Sequence, residues 1–305
     1  MDSTLRRTIG LMAAALLALS ACSSGGGTSP SAASAAAPSA AATAASTEPS
    51  AAPATAAAPS IAVPAAITTA GKLVWCVDVS YPPEESFKAD GTTAEGSDID
   101  IANEVAKRFG VTAETDNTSF TGIIASLVGK KCDLIISGMN DTAERAKQVA
   151  FVDYLKVGQA ITVKKGNPEH FTTLASLSGK RVSVQSATTN RGFLAATSKK
   201  LVKQGKKPIT IVTFPKDTDA FAALVAGRVD AYYADAPPAA YYAKQNSSVQ
   251  VCCHPINPIP IGIALRKQDP LRAPVQKGVN ILYSNGSMKR IVTKWGMSHA
   301  VVFLK

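Results

Sequence analysis

The stretch of residues 133–145, which reads DLIISGMNDTAER, limits the possible folds of this chain more than any other segment. It starts with a short apolar run rich in β-branched residues, 134–136, as expected for a parallel strand that is covered on both faces. Small polar residues end the run, and open α/β sheets bind their ligands at the carboxyl ends of such strands. The segment therefore predicts an α/β fold with a binding site at this turn.

A helix is predicted to begin directly after the turn. Asp141 is expected to be its N-cap, and Glu144, three residues later, would complete a capping box. Arg145 would then lie in the first helical turn, beside unpaired N–H groups and the positive end of the helix dipole, where a carboxylate would bind. An ordinary surface arginine is the alternative that these residues leave open.

Strands and helices alternate along the rest of the chain. Strands are predicted at 73–77, 134–136, 160–164, 180–184, 209–214, 229–234 and 259–266, and helices at 99–109, 120–128, 188–200 and 219–225, with two short helices within 270–295. The rhythm starts again after Asp153, which predicts two α/β halves, each a mostly parallel sheet flanked by helices. Two chain crossings, near 156–160 and 251–258, would form a hinge between them.

The first 22 residues have the composition of an export signal. Arg6 and Arg7 precede an apolar stretch at 9–19 that is too short to span a bilayer. The signal ends in Leu-Ser-Ala-Cys, which resembles the lipobox of bacterial lipoproteins and implies lipidation of Cys22. We therefore expect a lipid-anchored protein outside the cytoplasm.

Residues 23–66 consist almost wholly of Ala, Ser, Pro, Thr and Gly, with Glu48 as their only charged residue. Such a segment cannot bury enough apolar surface to offset chain entropy, so it is predicted to be a disordered tether. Its root-mean-square reach would be roughly 35 Å.

The formal net charge of +10 suggests nucleic acid binding as one function class. No aromatic-interleaved basic stripe and no known nucleic-acid motif accompanies the lysines and arginines, which are interpreted as a scattered, solvated basic surface. The sequence also contains no G-x-S-x-G, H-E-x-x-H, Walker or G-x-G-x-x-G motif, so we do not expect an enzyme.

The exported part carries cysteines at 76, 132, 252 and 253. Disulfides are permitted outside the cytoplasm, but the spacings match no zinc or redox motif. Cys76 and Cys132 lie in apparent strands, where a buried free thiol is the favoured interpretation and a disulfide stays open. The Cys252-Cys253-His254 run suggests a metal site, but no carboxylate is close in sequence, so we predict no metal and no cofactor.

Several motifs occur in one order between residues 71 and 300. They are Asp78 with Tyr81-Pro82-Pro83, the Asp98-x-Asp100 helix start, the SGM-x-x-T-x-x-R turn of 137–145 and the AGRVDA run of 226–231. This order resembles the extracellular solute-binding proteins of ABC importers, in the branch that captures polar amino acids (family 3). The resemblance implies a two-lobed periplasmic-binding-protein-like fold (type II), with lobe 1 at 67–158 plus 257–305 and lobe 2 at 159–256.

The resemblance also implies the ligand contacts. Its carboxylate set is Arg145, Asn140, Ser137, Thr188 and Thr189, its ammonium partner is Asp235, and its side-chain set is Asp78, Tyr81 and Phe120. Other roles stay open: Thr188 as a plain helix cap, Asp78 as a turn cap and Tyr81 as a core residue. Asp235 follows an apolar strand and needs a partner, because burying an unpaired charge is costly.

The function implied is that of a monomeric substrate-binding component, which captures a polar or basic L-amino acid and delivers it to an ABC permease and ATPase complex. A cyclohexadienyl-dehydratase-like enzyme on the same scaffold and a ligand-sensing receptor head without transport are the alternatives. The chain departs from the family in one place: Glu84-Glu85 follows Tyr-Pro-Pro where relatives usually carry Phe-Glu.

Overall fold

The computed structural model describes residues 61–253 and 256–304, so the predicted signal peptide, Cys22 and most of the predicted tether lie outside the described residues. The tether prediction is wrong for 61–66. Ile61 is only 3% exposed, its N–H donates to the carbonyl of Arg108 at 3.1 Å, and a helix begins at Ala65. No helix within the described ranges combines the length and the apolar character that crossing a membrane requires.

The described residues alternate helices and strands along most of their length. The helices are α1 (Ala65–Ala70), α2 (Ser97–Phe109), α3 (Ile123–Val128), α4 (Thr189–Lys203), α5 (Asp217–Val225), α6 (Ala236–Gln245), α7 (Arg272–Ser284) and α8 (Ser287–Lys294). The strands are β1 (Lys72–Val77), β2 (Ser86–Phe87), β3 (Ala94–Glu95), β4 (Thr112–Asn117), β5 (Leu134–Ile135), β6 (Val149–Lys164), β7 (Arg181–Gln185), β8 (Thr210–Phe214), β9 (Ala231–Asp235), β10 (Val249–Val251), β11 (Ile256–Arg266) and β12 (Val301–Val302).

One sheet runs through this part of the chain in the order β4-β1-β5-β11-β6-β9-β7-β8, with β10 and β12 paired to β6. Strand β1 is parallel to β4 and β5, and β7 is parallel to β8 and β9. We call the β4-β1-β5 side the first half and the β9-β7-β8 side the second half. The predicted fold, two mostly parallel α/β halves, is confirmed.

The long strands β6 and β11 are antiparallel and join the two halves. Strand β6 has 16 residues, of which Val149 to Gln159 pair with β11 and Gln159 to Thr162 pair with β9. The chain therefore passes from the first half to the second near Gln159, inside the predicted crossing at 156–160. It returns through β11 and then adds α7 and α8 to the first half.

Helix α2 illustrates how the sequence builds the first half. Asp98 and Asp100 lie in its first turn and its basic residues in the last, as the helix dipole favours, and Gly110 ends it with φ 73°. Its apolar face packs with α7 and β1 in one core, which includes Trp75, Val105, Val275 and Leu282. The first half is thus made from both ends of the described chain.

A disulfide joins Cys76 to Cys132, with 5.7 Å between the Cα atoms. The interpretation of these residues as free thiols is therefore wrong. The sulfurs meet because β1 and the turn before β5 are adjacent in the sheet, which a reading of local sequence does not reveal. A bridge over a sequence separation of 56 residues stabilises by about 4 kcal/mol in the chain-entropy account. Cys252 and Cys253 are also joined to each other.

Candidate functional site

The carboxyl ends of the parallel strands in both halves face one another across a closed cavity. Its walls are formed by Asp78, Tyr81, Glu85, Phe120, Ser137, Gly138, Asn140, Arg145, Gln185, Thr188, Asn190 and Asp235. All the ligand residues predicted from the sequence line this cavity except Thr189. Strand ends that are far apart in the chain therefore converge as the α/β architecture requires.

The cavity is small and the two halves are in direct contact around it. Its volume is about 10 Å³, which is about the space of one water molecule. Hydrogen bonds cross between the halves from Gln185 Nε2 to Asp78 Oδ2 (2.8 Å) and from Thr189 Oγ1 to Asn140 Oδ1 (2.6 Å). The structure is a closed form, and a ligand larger than water requires the halves to separate.

The segment before Arg145 does not form the predicted α-helix. Residues Arg145–Lys147 make a single 3-10 turn, and neither Asp141 nor Glu144 caps it with a side chain. Asp141 instead donates its N–H to the carbonyl of Pro260, and the Thr142 hydroxyl accepts from the N–H of Arg145 at 3.2 Å. The predicted capping box is wrong, because pairing with the β11 backbone takes the place of helix formation.

Arg145 reaches the cavity nonetheless. One of its guanidinium nitrogens donates to the Asn140 carbonyl at 2.9 Å and another to the Ala187 carbonyl of the second half at 3.2 Å. The guanidinium carbon lies 5.2 Å from the centre of the Phe120 ring. Beside it, Asn140 Nδ2 is buried and has no hydrogen-bond partner among the described residues. This side of the cavity therefore presents a cation and a free amide donor, which suit an anion.

Thr188 is the N-cap of α4, which agrees with the alternative role of a helix cap. Its hydroxyl donates to the Gln185 carbonyl at 2.8 Å and accepts from the Arg191 N–H at 3.3 Å. Thr188 also lines the cavity, so capping and ligand contact are compatible. Thr189, at the start of α4, faces the first half through its bond to Asn140.

Asp235 lines the cavity from the second half, at the end of β9. It is 2% exposed, and Asn190 Nδ2 donates to its Oδ1 at 3.1 Å. Burial raises the pKa of Asp235 to about 6, although bonds from Asn190 and Tyr81 and the charge of Arg145 counteract the rise. The other amide atom of Asn190, Oδ1, is buried without a partner among the described residues. A carboxylate and a free carbonyl oxygen here suit a cationic donor.

Asp78 lies at the end of β1 and is already hydrogen-bonded. The N–H of Phe120 donates to its Oδ2 at 2.9 Å, in addition to the amide of Gln185. Burial raises its pKa, against these bonds and the charge of Lys216. Asp78 thus fixes Phe120 as well as lining the cavity, and its alternative role as a turn cap is compatible with both.

Glu85 adds a second carboxyl group to the same wall. The Ser137 hydroxyl donates to Glu85 Oε1 at 2.8 Å and accepts from the N–H of Asp78 at 3.0 Å. Glu85 Oε2 is buried without a partner among the described residues, and burial together with the nearby charges of Asp98 and Glu84 raises the pKa of Glu85 well above its usual value. Ser137 would have to release Glu85 before it could donate to a ligand.

A layer of buried acids lies behind the cavity. Asp98 accepts from the Gly138 N–H at 2.8 Å and from the Tyr154 hydroxyl at 2.8 Å, which holds the turn after β5 in place. Glu84 is 1% exposed, and burial and the charge of Asp98 raise its pKa well above the usual value. Position 84, where relatives of the resembled family usually carry Phe, therefore places a carboxyl group in the interior of this protein.

The cavity walls hold three carboxyl groups, on Asp78, Glu85 and Asp235, against one guanidinium, on Arg145. When the carboxyl groups are ionised, the cavity carries a net negative charge. A ligand with more positive than negative groups complements it best.

Sequence reasoning missed Glu85, Gly138, Gln185 and Asn190 as lining residues. Gln185 and Asn190 flank the predicted polar turn, so their place in the turn could have indicated them. Glu85 had no such signal, because its position depends on a two-stranded ribbon, β2-β3, that the sequence did not predict.

Within the described residues, no group of three or more His, Cys, Asp or Glu side chains is arranged to hold a metal ion. His254, part of the metal alternative at Cys252-Cys253-His254, lies outside those residues.

Comparison with known proteins gives consistent matches over the described fold. The model of the bacterial extracellular solute-binding proteins, family 3, matches residues 73–298. The ABC transporter arginine-binding protein 1 of Escherichia coli (strain K12) is 27% identical over 235 residues, which cover 75% of this chain and 92% of that protein. An ancestral arginine-binding protein bound to arginine is similar in structure, with a TM-score of 0.68, 35% identity, and coverage of 74% of this chain and 98% of that chain. An ancestral amino acid-binding protein described as a precursor of cyclohexadienyl dehydratase has a TM-score of 0.69, 34% identity, and coverage of 75% and 97%.

Proposed function

The chain belongs to the bacterial extracellular solute-binding proteins of family 3, and on that premise we propose that it is the substrate-binding component of an ABC importer. In this proposal it captures a polar or basic L-amino acid between its two lobes and delivers it to a permease and ATPase complex. The arginine-binding relative in Escherichia coli, which by its name serves an ABC transporter, supports this role.

The observation that carries the proposal is that the cavity is lined by free donors from one half and free acceptors from the other. Arg145 and the free amide of Asn140 come from the first half, after β5, and Asp235 and the free carbonyl of Asn190 come from the second half. An L-amino acid has the matching pair of groups on one carbon, a carboxylate and an ammonium. We assign Arg145, Asn140, Thr188 and, after rearrangement of their present bonds, Ser137 and Thr189 to the carboxylate. Asp235 takes the ammonium.

The ligand side chain is assigned to the wall formed by Asp78, Tyr81 and Phe120. The Phe120 ring already lies 5.2 Å from a guanidinium carbon, that of Arg145, so its face accepts a planar cation. The carboxyl group of Glu85 adjoins Asp78 and adds to the preference for a positive side chain. Arginine, lysine and ornithine are the favoured ligands, and glutamine is the favoured neutral one.

Calorimetry on the chain from Thr55 onward, which keeps Ile61 in its buried position, tests this assignment. We expect arginine, lysine or glutamine to bind more tightly than glutamate or leucine, because an acidic side chain meets two further carboxyl groups and an aliphatic one leaves them unpaired. Tighter binding of glutamate or leucine would show that Asp78, Tyr81 and Phe120 do not have the proposed roles.

Ligand entry requires opening, since the closed cavity holds about one water molecule. We propose that lobe 1 (67–158 plus 257–305) and lobe 2 (159–256) rotate about the two crossings. A ligand that bridges both lobes would favour a form closed around it, with a wider cleft than in this structure but more compact than the open, ligand-free form. Small-angle scattering should show a smaller radius of gyration at saturating ligand. An unchanged radius would point to a rigid, preformed pocket.

Attachment to the outer face of the cell membrane is proposed through a lipid on Cys22. Replacing Cys22 by serine should move the protein from the membrane fraction to the soluble fraction, because acyl chains bury CH₂ groups at about 0.8 kcal/mol each. Sedimentation of the variant with membranes after a high-salt wash would show that another attachment holds it.

A second candidate, a cyclohexadienyl-dehydratase-like enzyme, is favoured by the likeness to the dehydratase precursor and by one feature of the site. The Glu85 carboxyl lines the cavity, and burial raises its pKa well above the usual value, which is the direction of shift that a general acid requires. Formation of an aromatic product from prephenate or arogenate would support this candidate, and its absence leaves binding as the function.

A further inference from the structure

The basic charge of the folded part is concentrated in one segment. Residues 181–216 contain eight lysines and arginines and no aspartate or glutamate, so they account for +8 of the formal net charge of +10. The expectation of a scattered basic surface is therefore wrong for this segment.

Five lysines of the segment lie together at the end of α4 and in the turn after it. They are Lys199, Lys200, Lys203, Lys206 and Lys207, which we call the lysine patch. All five are exposed, and none of them takes part in the ion pairs found within the described residues. Val202, between them on α4, is 53% exposed. The patch thus combines unpaired cations with an exposed aliphatic side chain.

Favourable interactions within the domain explain the positions of only some of these lysines. Lys200 and Lys203 lie in the last turn of α4, where the helix dipole favours cations. Lys199 and Lys203, however, are four residues apart on one helix face and repel each other. Lys206 and Lys207 follow Gly205, which has φ 73° and lies beyond the helix. Three of the five lysines therefore have no favourable partner among the described residues.

The lysine patch lies away from the cavity. Helix α4 begins at the cavity with Thr188 as its cap and ends at the patch, and its 15 residues make it about 22 Å long. A surface in contact with the patch would therefore leave the proposed amino acid site free.

We propose that the lysine patch docks on a membrane surface of anionic phospholipids. Clustered lysines bind such a surface through its negative potential. The exposed Val202 favours a lipid surface over an acidic polypeptide, because its side chain can enter the boundary between headgroups and acyl chains while the lysines contact phosphates. The binding is electrostatic, so salt weakens it.

The test uses the full chain with Cys22→Ser in every variant, so that no acyl chain contributes. The patch variant changes all five lysines to glutamine. A matched control changes five exposed lysines elsewhere, Lys88, Lys131, Lys165, Lys277 and Lys289, to glutamine and removes the same charge. Flotation measures binding to vesicles of phosphatidylglycerol and phosphatidylcholine in equal parts and to vesicles of phosphatidylcholine alone.

We expect the patch variant to lose at least tenfold in its partition onto the anionic vesicles and the control to stay within threefold of the unchanged chain. Added salt should reduce binding of the unchanged chain to the level seen on phosphatidylcholine. Unchanged amino acid affinity in the patch variant shows that its fold is intact.

Three results would overturn the proposal. If both variants lose binding equally, total charge and not the lysine patch determines the binding. If the unchanged chain binds equally to the two kinds of vesicle, the contact is not electrostatic. Binding of poly-L-glutamate in preference to the anionic vesicles would assign the patch to an acidic polypeptide instead.

Discussion

Changing Arg145 to alanine is expected to weaken amino acid binding by about thirtyfold to several thousandfold, or about 2 to 5 kcal/mol. Among the described residues, the guanidinium is the one cation in the cavity wall, and it donates to carbonyls of both halves, at Asn140 and at Ala187. Its loss leaves the ligand carboxylate buried without a counter-charge and also removes a bond between the halves.

Arg191→Ala is the matched control for this experiment. Arg191 is exposed in the first turn of α4, and its side chain makes no hydrogen bond to any described residue. Calorimetry should find this variant within threefold of the unchanged protein. If Arg145→Ala is equally mild while circular dichroism shows an intact fold, Arg145 is not the carboxylate partner.

Affinity for an amino acid is expected to fall as the pH decreases below about 6, by up to tenfold per unit. The ammonium group requires an ionised Asp235, and burial raises the pKa of this residue to about 6 in the closed structure. A bound ammonium group lowers the pKa of Asp235. Binding is therefore strongest above the pKa of the ligand-free residue and weakens as the pH falls through that value.

Asp235→Asn separates this residue from the other buried acids, of which Asp217 has its pKa raised to about 7 by burial. We expect the variant to bind at least thirtyfold more weakly at pH 8 and to lose most of the pH dependence between pH 5 and 7. Asp230→Asn is the control, because Asp230 pairs with Arg181 outside the cavity. An Asn variant that keeps the full pH dependence would place the titrating group elsewhere.

The sequence predicts the parallel strands well because their burial is visible in composition. Strands β5 and β9 are fully buried, and the runs that form them are apolar. Strand β4, which the sequence does not reveal, reads TAETDN and lies at the edge of the sheet, so no apolar pattern marks it. Helix α6 is not among the predicted helices, and its Pro237 and Pro238 occupy the first turn, where proline is tolerated.

For the site, the sequence indicates which strand ends converge. It does not indicate which side-chain atoms remain without a hydrogen-bond partner and can contact a ligand. The bond from Asn190 to Asp235 joins residues 45 apart, and the bond from Ser137 to Glu85 joins residues 52 apart. Such partners depend on the packed sheet, as does the pairing of Asp141 with Pro260 that replaces the expected helix start. Local propensity describes the elements, and tertiary contacts decide the chemistry of each side chain.

The route of the chain through the sheet has a consequence for the order of folding. The core of the first half contains Trp75 together with Leu265, Val275 and Leu282, which come from a much later part of the chain. Because synthesis runs from the N-terminus, this core cannot close before residues 265–282 have been made. The second half, built from neighbouring segments, can form earlier. Closure of the first half then follows that of the second, and until residues 265–282 arrive, Trp75 lacks the late side chains of its core.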